Sequence, residues 1–278
     1  MRRSTRTVTT VLASAFALAA VASPAAAQAA PTGGPPPAAV TYVGNSGFLI
    51  EAGGRKILVD ALFDGFPGRY ALPAAVRAPL LAGSPPYDGI DLIVATHDHA
   101  DHFGAAAVLA ALRANPGAVF VGPTAATASL SGVDGRFRGL EVPDGERRTL
   151  EVNGVSVTAM PLLHGRPPAG RPGIVNLAYL ITVGGLKFLH TGDVSVENVP
   201  ISVLHSLGVR DERVDVAFVP HFLLSTPARL RWVTEGIGAR TVVASHYQYT
   251  EPPDTAQIRR AVPSAVVFRT EGERWTVR

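Results

Sequence analysis

His97-Asp98-His99-Ala100-Asp101-His102 gathers three histidines and two aspartates into six residues. Neutral imidazole and carboxylate are the side chains that hold zinc and other borderline divalent metals, so the stretch reads as a metal site. With 8 histidines in 278 residues, the pattern H-x-H-x-D-H arises by accident in roughly 3 × 10⁻⁴ of such chains. A catalytic centre needs more ligands than one loop supplies, and three further candidates stand apart: His164, Asp193 in His190-Thr191-Gly192-Asp193, and His246. The absence of cysteine excludes thiolate ligands, disulfides and a lipid-modified cysteine anchor.

These residues share a placement. The cluster follows the apolar run Ile90–Thr96 and precedes a helical pattern over 104–112. Asp60, His164, Asp193 and His246 each lie just past an apolar stretch with strand character, and strand ends converging on one rim are where α/β sheets build sites. Strands are expected at 40–43, 48–51, 56–59, 118–121, 149–152, 155–160, 174–182, 186–189, 214–219, 240–244, 264–268 and 274–277. Helices are expected at about 103–114, 124–130, 226–236 and 255–261, and 61–89 reads as irregular. Two mixed sheets with helices on their outer faces satisfy this order.

Residues 1–29 read as a secretory signal peptide: Arg2, Arg3 and Arg6, an Ala/Leu-rich core from Val11 to Val21, and cleavage after Ala27 or Ala29. The apolar core is too short for a stable membrane span, so a secreted or periplasmic product is expected. Residues 30–38 are a Pro/Gly-rich linker, and 39–278 are long enough for one domain with a sizeable core. The leader carries three of the 25 basic residues and none of the 22 acidic ones, leaving a mature chain with 22 of each. The basic excess therefore belongs to the leader, and no basic track for nucleic acid remains. A small-molecule substrate is expected, and the oligomeric state is left open.

Asp60, then H-x-H-x-D-H, a later His, T-G-D and a final strand-end His resemble the motif order of the metallo-β-lactamase superfamily over about residues 39–278. Gly44-Asn45-Ser46-Gly47-Phe48-Leu49-Ile50, Thr96–His102 and Thr191-Gly192-Asp193 look most like the branch that includes the ascorbate-6-phosphate lactonase-like proteins. The resemblance implies an αββα sandwich of two mixed β-sheets, and a dinuclear site. His97, His99 and His164 would hold one metal, Asp101, His102 and His246 the other, and Asp193 would bridge them. Asp60 would steady the ligand loop from outside. Two Zn²⁺ ions are implied, with Mn²⁺ or Fe²⁺ fitting the same ligands. A hydroxide shared by the metals would attack an electrophilic carbonyl or phosphorus centre, with Asp101 orienting it.

Asp193 turns the reading away from antibiotic hydrolysis, since true metallo-β-lactamases generally lack this bridging carboxylate. The loop after His164 also departs from the G-H-T-P-G of many relatives. A lactone or carboxylic ester is the expected substrate, with a phosphodiester as the runner-up. An iron-dependent oxidoreductase of the sulfur dioxygenase kind, on the same fold, is the rival from another class. Around the centre, Arg166 and Arg171 could bind a substrate phosphate or carboxylate. His221 could protonate a leaving group or hold an oxyanion. Phe63, Phe66 and Tyr70 would either pack down their segment or rim the centre, His190 would be an outer or core residue, and His205 has no role.

Overall fold

The computed structural model describes residues 37–65, 70–133, 135–165, 173–247 and 254–278. The expected leader, most of the expected linker, and Phe66, Arg166 and Arg171 lie outside the described residues. Seven strands form the first sheet. They are β1 (Ala39–Gly44), β2 (Gly47–Ala52), β3 (Arg55–Val59), β4 (Leu92–Val94), β5 (Val119–Pro123), β6 (Phe137–Leu140) and, at the chain's end, β13 (Arg274–Thr276), in the order β13-β1-β2-β3-β4-β5-β6. The second sheet holds β7 (Arg148–Val152), β8 (Val155–Pro161), β9 (Leu177–Val183), β10 (Leu186–His190), β11 (Val216–Pro220) and β12 (Thr241–Ser245), in the order β12-β11-β10-β9-β8-β7.

Both sheets are mixed. Hairpins join β1 to β2 and β2 to β3, whereas β3 to β6 run parallel. In the second sheet β7 to β10 alternate in direction, and β10, β11 and β12 run parallel. Because the strand period is two, neighbouring side chains enter different cores. Phe48 and Ile50 of β2, and Leu92 and Val94 of β4, join the cluster that includes the sheet–sheet interior. Leu49 and Ile93 turn the other way into a second cluster, beneath α1 (Ala74–Ala82), α2 (Ala105–Ala114) and α3 (Thr124–Thr127). On the outer face of the second sheet, Leu204 of α4 (Ile201–Ser206) and Trp232, after α5 (Pro227–Arg231), are buried. The last helix is α6 (Thr255–Ala261). The architecture is an αββα sandwich with the metallo-β-lactamase fold.

The structure differs from the sequence-based expectations at five places. The segment 61–89 is not irregular throughout, since it contains α1, whose internal Pro79 reads in sequence as a breaker. Strand β6 and helix α4 were not expected; β6 is only Phe-Arg-Gly-Leu, held by its parallel pairing with β5 rather than by its own alternation. The strand expected at 264–268 shrinks to one bridging residue, Val266, which accepts from Ala244 N–H and donates to the Val242 carbonyl. The helix expected at 226–236 is α-helical only over Pro227–Arg231 and then widens into a π-type turn through Ile237. Among the described residues, no helix is long and apolar enough to cross a membrane.

Candidate metal centre

Strands β3, β4, β8, β10, β11 and β12 all end at one rim, together with the β1–β2 turn. From these ends come Asp60, the 97–102 loop, His164, Asp193, His221 and His246. Backbone bonds anchor the ligand loop: Asp64 and Gly65 N–H reach the Ala100 carbonyl, and Gly104 N–H reaches Leu62. Across the rim, Leu177 N–H donates to the Thr96 carbonyl at 2.9 Å, and the Tyr179 hydroxyl donates to the Ala95 carbonyl at 3.2 Å. Position 192 must be glycine: its φ is +58°, and a Cβ there would strike the Asn176 side chain and lie 2.8 Å from Thr96 Cβ.

The structure brings all seven candidate ligands together, as two groups. His97, His99 and His164 form one, and Asp101, His102, Asp193 and His246 the other, the ligand atoms of each lying within 4.8 Å of one another. His97 Nε2 stands 3.1 Å from His99 Nδ1. In the second group His102 Nε2 is 3.4 Å from Asp101 Oδ2 and 3.3 Å from Asp193 Oδ2, and His246 Nε2 is 3.4 Å from Asp101 Oδ2. Ligand atoms at zinc–nitrogen bond length around a tetrahedral ion stand about 3.3 Å apart. The spacing therefore fits a metal better than a hydrogen-bond network, and His102 Nε2, His164 Nε2 and Asp193 Oδ1 are buried with no hydrogen-bond partner among the described residues. Asp193 Oδ2 touches both groups, at 3.5 Å from His164 Nε2 and 2.8 Å from His246 Nε2.

Outside the ligands, Asp60 sets two ring tautomers. Its Oδ1 accepts from Thr96 N–H at 2.7 Å, and its Oδ2 accepts from the Thr96 hydroxyl at 2.8 Å and from His102 Nδ1 at 2.7 Å. Thr96 Oγ1, having donated to Asp60, accepts from His97 Nδ1 at 3.0 Å. Both rings thus carry hydrogen on Nδ1 and turn Nε2 toward the centre.

Charge divides the two groups. Burial, reinforced by the neighbouring His102 for His97 and by His164 for His99, lowers both rings' pKa, which keeps them neutral as ligands must be. Burial also opposes charge on His102 and His246, but Asp193 and Asp101 outweigh it, helped by Asp60 for His102; the result is a raised His102 and a His246 pushed up to about 9. In return, despite burial, Asp193 is held well below the usual carboxylate range by His102 and His246, and the same two rings, each 3.4 Å from its Oδ2, lower Asp101.

Of the remaining candidates, His221 donates Nδ1–H to the His246 carbonyl at 2.7 Å, and burial lowers its pKa. Phe63 is buried and its ring stacks on Tyr70, whose hydroxyl donates to Glu271 at 2.7 Å, so both pack the segment down rather than form a lid. His190 is buried and links Ser46 to Gly192. His205 is exposed on α4. Two amides escaped the sequence reading. Asn176 donates to the Leu162 and Thr191 carbonyls and accepts from Asp193 N–H at 3.1 Å, and Asn45 donates to Asp101. Asn45 lies inside the Gly44–Ile50 motif, which is its signal in the sequence; Asn176 has none.

Comparison with known proteins identifies the family and the fold. A family model described as a beta-lactamase superfamily domain matches residues 55–247. A UPF0173 metal-dependent hydrolase of Pyrococcus abyssi is 30% identical over 221 residues, covering 78% of this chain and 87% of its own. Another, from Thermococcus kodakarensis, is 28% identical over 246 residues, covering 84% and 97%. Among solved structures, Igni18, a metallo hydrolase from Ignicoccus hospitalis, shares the fold with a TM-score of 0.59 at 21% identity, over 86% of this chain and 97% of that one. The chain belongs to the metallo-β-lactamase superfamily and, within it, to the UPF0173 family of metal-dependent hydrolases.

Proposed function

We propose that the protein is an exported, zinc-dependent hydrolase with a two-metal centre that cleaves a lactone or other carboxylic ester, in the manner of the ascorbate-6-phosphate lactonase-like branch. The observation that carries the two-metal reading is Asp193 Oδ2, one carboxylate oxygen within 3.5 Å of ring nitrogens in both ligand groups. His97, His99 and His164 would hold the first ion, and Asp101, His102 and His246 the second, with Asp193 shared. When bound, such ions supply Lewis acidity and lower the pKa of water toward neutrality.

The chain's own residues do the positioning. Asp60 and Thr96 hold His97 and His102 with Nε2 inward. His221 steadies the chain at His246 through its carbonyl. Burial favours the neutral ring, although the bond to the His246 carbonyl opposes it; in that ring the second nitrogen is an acceptor, so a proton-donating role for His221 requires the imidazolium. Arg166 and Arg171 are proposed to recognise an anionic group on the substrate, because guanidinium matches carboxylate and phosphate. Export rests on the basic start, short apolar core and small-residue cleavage region of residues 1–29.

A panel of lactones, carboxylic esters, thioesters and phosphodiesters, with metal content measured on the same sample, tests the proposal. Turnover concentrated on lactones or esters, with zinc bound, is expected. Turnover confined to phosphodiesters would overturn the substrate class and leave the centre in place.

A further inference from the structure

The β1–β2 turn does more than close a hairpin. Asn45 at its corner has φ +49°, a left-handed conformation that asparagine tolerates, and it is 1% exposed. Its Nδ2 donates twice to one aspartate, to the Asp101 carbonyl at 3.1 Å and to Asp101 Oδ2 at 3.2 Å. Both partners only accept, so the amide orientation is fixed by chemistry: the NH₂ must face Asp101. The Asn45 carbonyl accepts from His246 N–H at 3.1 Å. One residue on, the Ser46 carbonyl receives His190 Nε2 at 2.9 Å, and Nδ1 of the same ring accepts from Gly192 N–H at 3.1 Å, next to Asp193. Two consecutive residues therefore reach the loops carrying Asp101, His246 and Asp193. Among the described residues the turn makes no hydrogen bond to His97, His99 or His164.

We infer that Asn45 is a positioning residue for one metal position only, the one formed by Asp101, His102, Asp193 and His246, and that the β1–β2 turn is the template on which that half of the centre is assembled. This rests on the two-metal reading above. The geometry supports the selectivity: Asn45 bonds the very oxygen, Asp101 Oδ2, that lies 3.4 Å from both His102 Nε2 and His246 Nε2. That oxygen has further lone-pair capacity, so the amide can hold it while it faces an ion. Hydrogen bonds of this outer kind typically change metal affinity 10–100-fold when removed. Close seating of the turn depends on Gly47, where a Cβ would lie 2.9 Å from the backbone of Asp60, Ala61 and Gly44.

The test titrates zinc into metal-stripped full-length protein and resolves the two affinities. N45G deletes the amide while suiting the left-handed backbone. N45D keeps the shape but faces Asp101 with a carboxylate. S46A, which removes a hydroxyl without a hydrogen-bond partner, controls for general disturbance of the turn. Wild type should bind two equivalents. N45G should keep the tighter first equivalent and weaken the second about 10–100-fold, N45D should weaken it further, and S46A should match wild type. Thermal unfolding of the stripped proteins, a readout separate from activity, should leave N45G folded with a cooperative transition. If N45G binds both equivalents as wild type does, or loses both to the same extent, the assignment to one position is wrong. If wild type itself binds fewer than two equivalents, the two-metal reading fails, whatever the variants do. Should N45G not fold, N45D against wild type decides the same question, and selective loss of the second equivalent remains the required result.

Discussion

At the residue scale, a single buried carboxylate outside the ligand set carries unusual weight. Asp60 sits at the end of β3 with φ +46° and accepts from Thr96 twice and from His102 once. An Asp60→Asn substitution retains the shape but turns part of an acceptor into a donor, facing a ring N–H and a hydroxyl that must both give a proton. The expected outcome is a 10–100-fold loss of metal affinity and about 3 kcal/mol of stability, because buried groups lose their partners; metal titration and denaturant unfolding read the two separately. Full retention of both would remove Asp60 from the account. The ligands themselves behave differently. His97→Ala and Asp193→Ala should each lose metal and activity with only partial loss of stability, because a domain of this size has core enough without metal. Activity assays, metal analysis and unfolding on the same preparations check this. The candidate ligands were legible in the sequence because metal chemistry restricts residue type, and all seven fall beside strand ends. Asn45 and Asn176 were not, because amides are common in turns and their partners, Asp101 and Asp193, lie 56 and 17 residues away.

Elements matter here chiefly through where they stop. Gly192, between the end of β10 and Asp193, admits no side chain. Gly192→Ala should destabilise the fold by at least about 2 kcal/mol, from left-handed strain plus collision with Asn176 and Thr96, with loss of metal as Asp193 is displaced; a variant with native stability and metal content would contradict the packing. Away from the rim, Glu212 before β11 receives Lys187 of β10 at 2.6 Å and Arg147, just before β7, at 2.5 Å. Burial opposes its charge, but those two hydrogen-bonded cations outweigh it and hold its carboxyl below the usual 4.5. A lowered folded-state pKa means the contribution is present above pH 4.5 and fades as pH falls through the folded value. Glu212→Gln should therefore cost up to about 1 kcal/mol at pH 7 and progressively less in denaturant melts taken below pH 4.5. The strand pattern was read correctly where a short apolar run is bounded by turn residues, as in β2, β8 and β11. It failed where long-range pairing decides: β6 is a strand because β5 lies beside it, and 264–268 is largely not one because only Val266 meets β12.

For the whole molecule, the sandwich is the device that holds the two halves of the centre to each other. Phe48 shows the packing: its ring lies 4.5 Å from Phe218 of the opposite sheet and within 6.1 Å of Tyr42, His190 and Phe268. Phe48→Ala should cost about 3–5 kcal/mol, read by denaturant unfolding, and should loosen the rim because His190 loses a wall. The order of helices and sheets was legible because strands alternate with helical segments between terminal hairpins. The one-residue joins across the rim, such as Leu177 to Thr96, are properties of the assembled sheets that no local pattern encodes. The measurement that bears most directly on the central claim is metal content and hydrolytic activity of protein purified without added metal, before and after chelation and after zinc is restored. Two equivalents of metal are expected, with hydrolysis that disappears with the metal and recovers on adding zinc. One equivalent of iron with oxygen uptake, or hydrolysis indifferent to chelation, would contradict that claim.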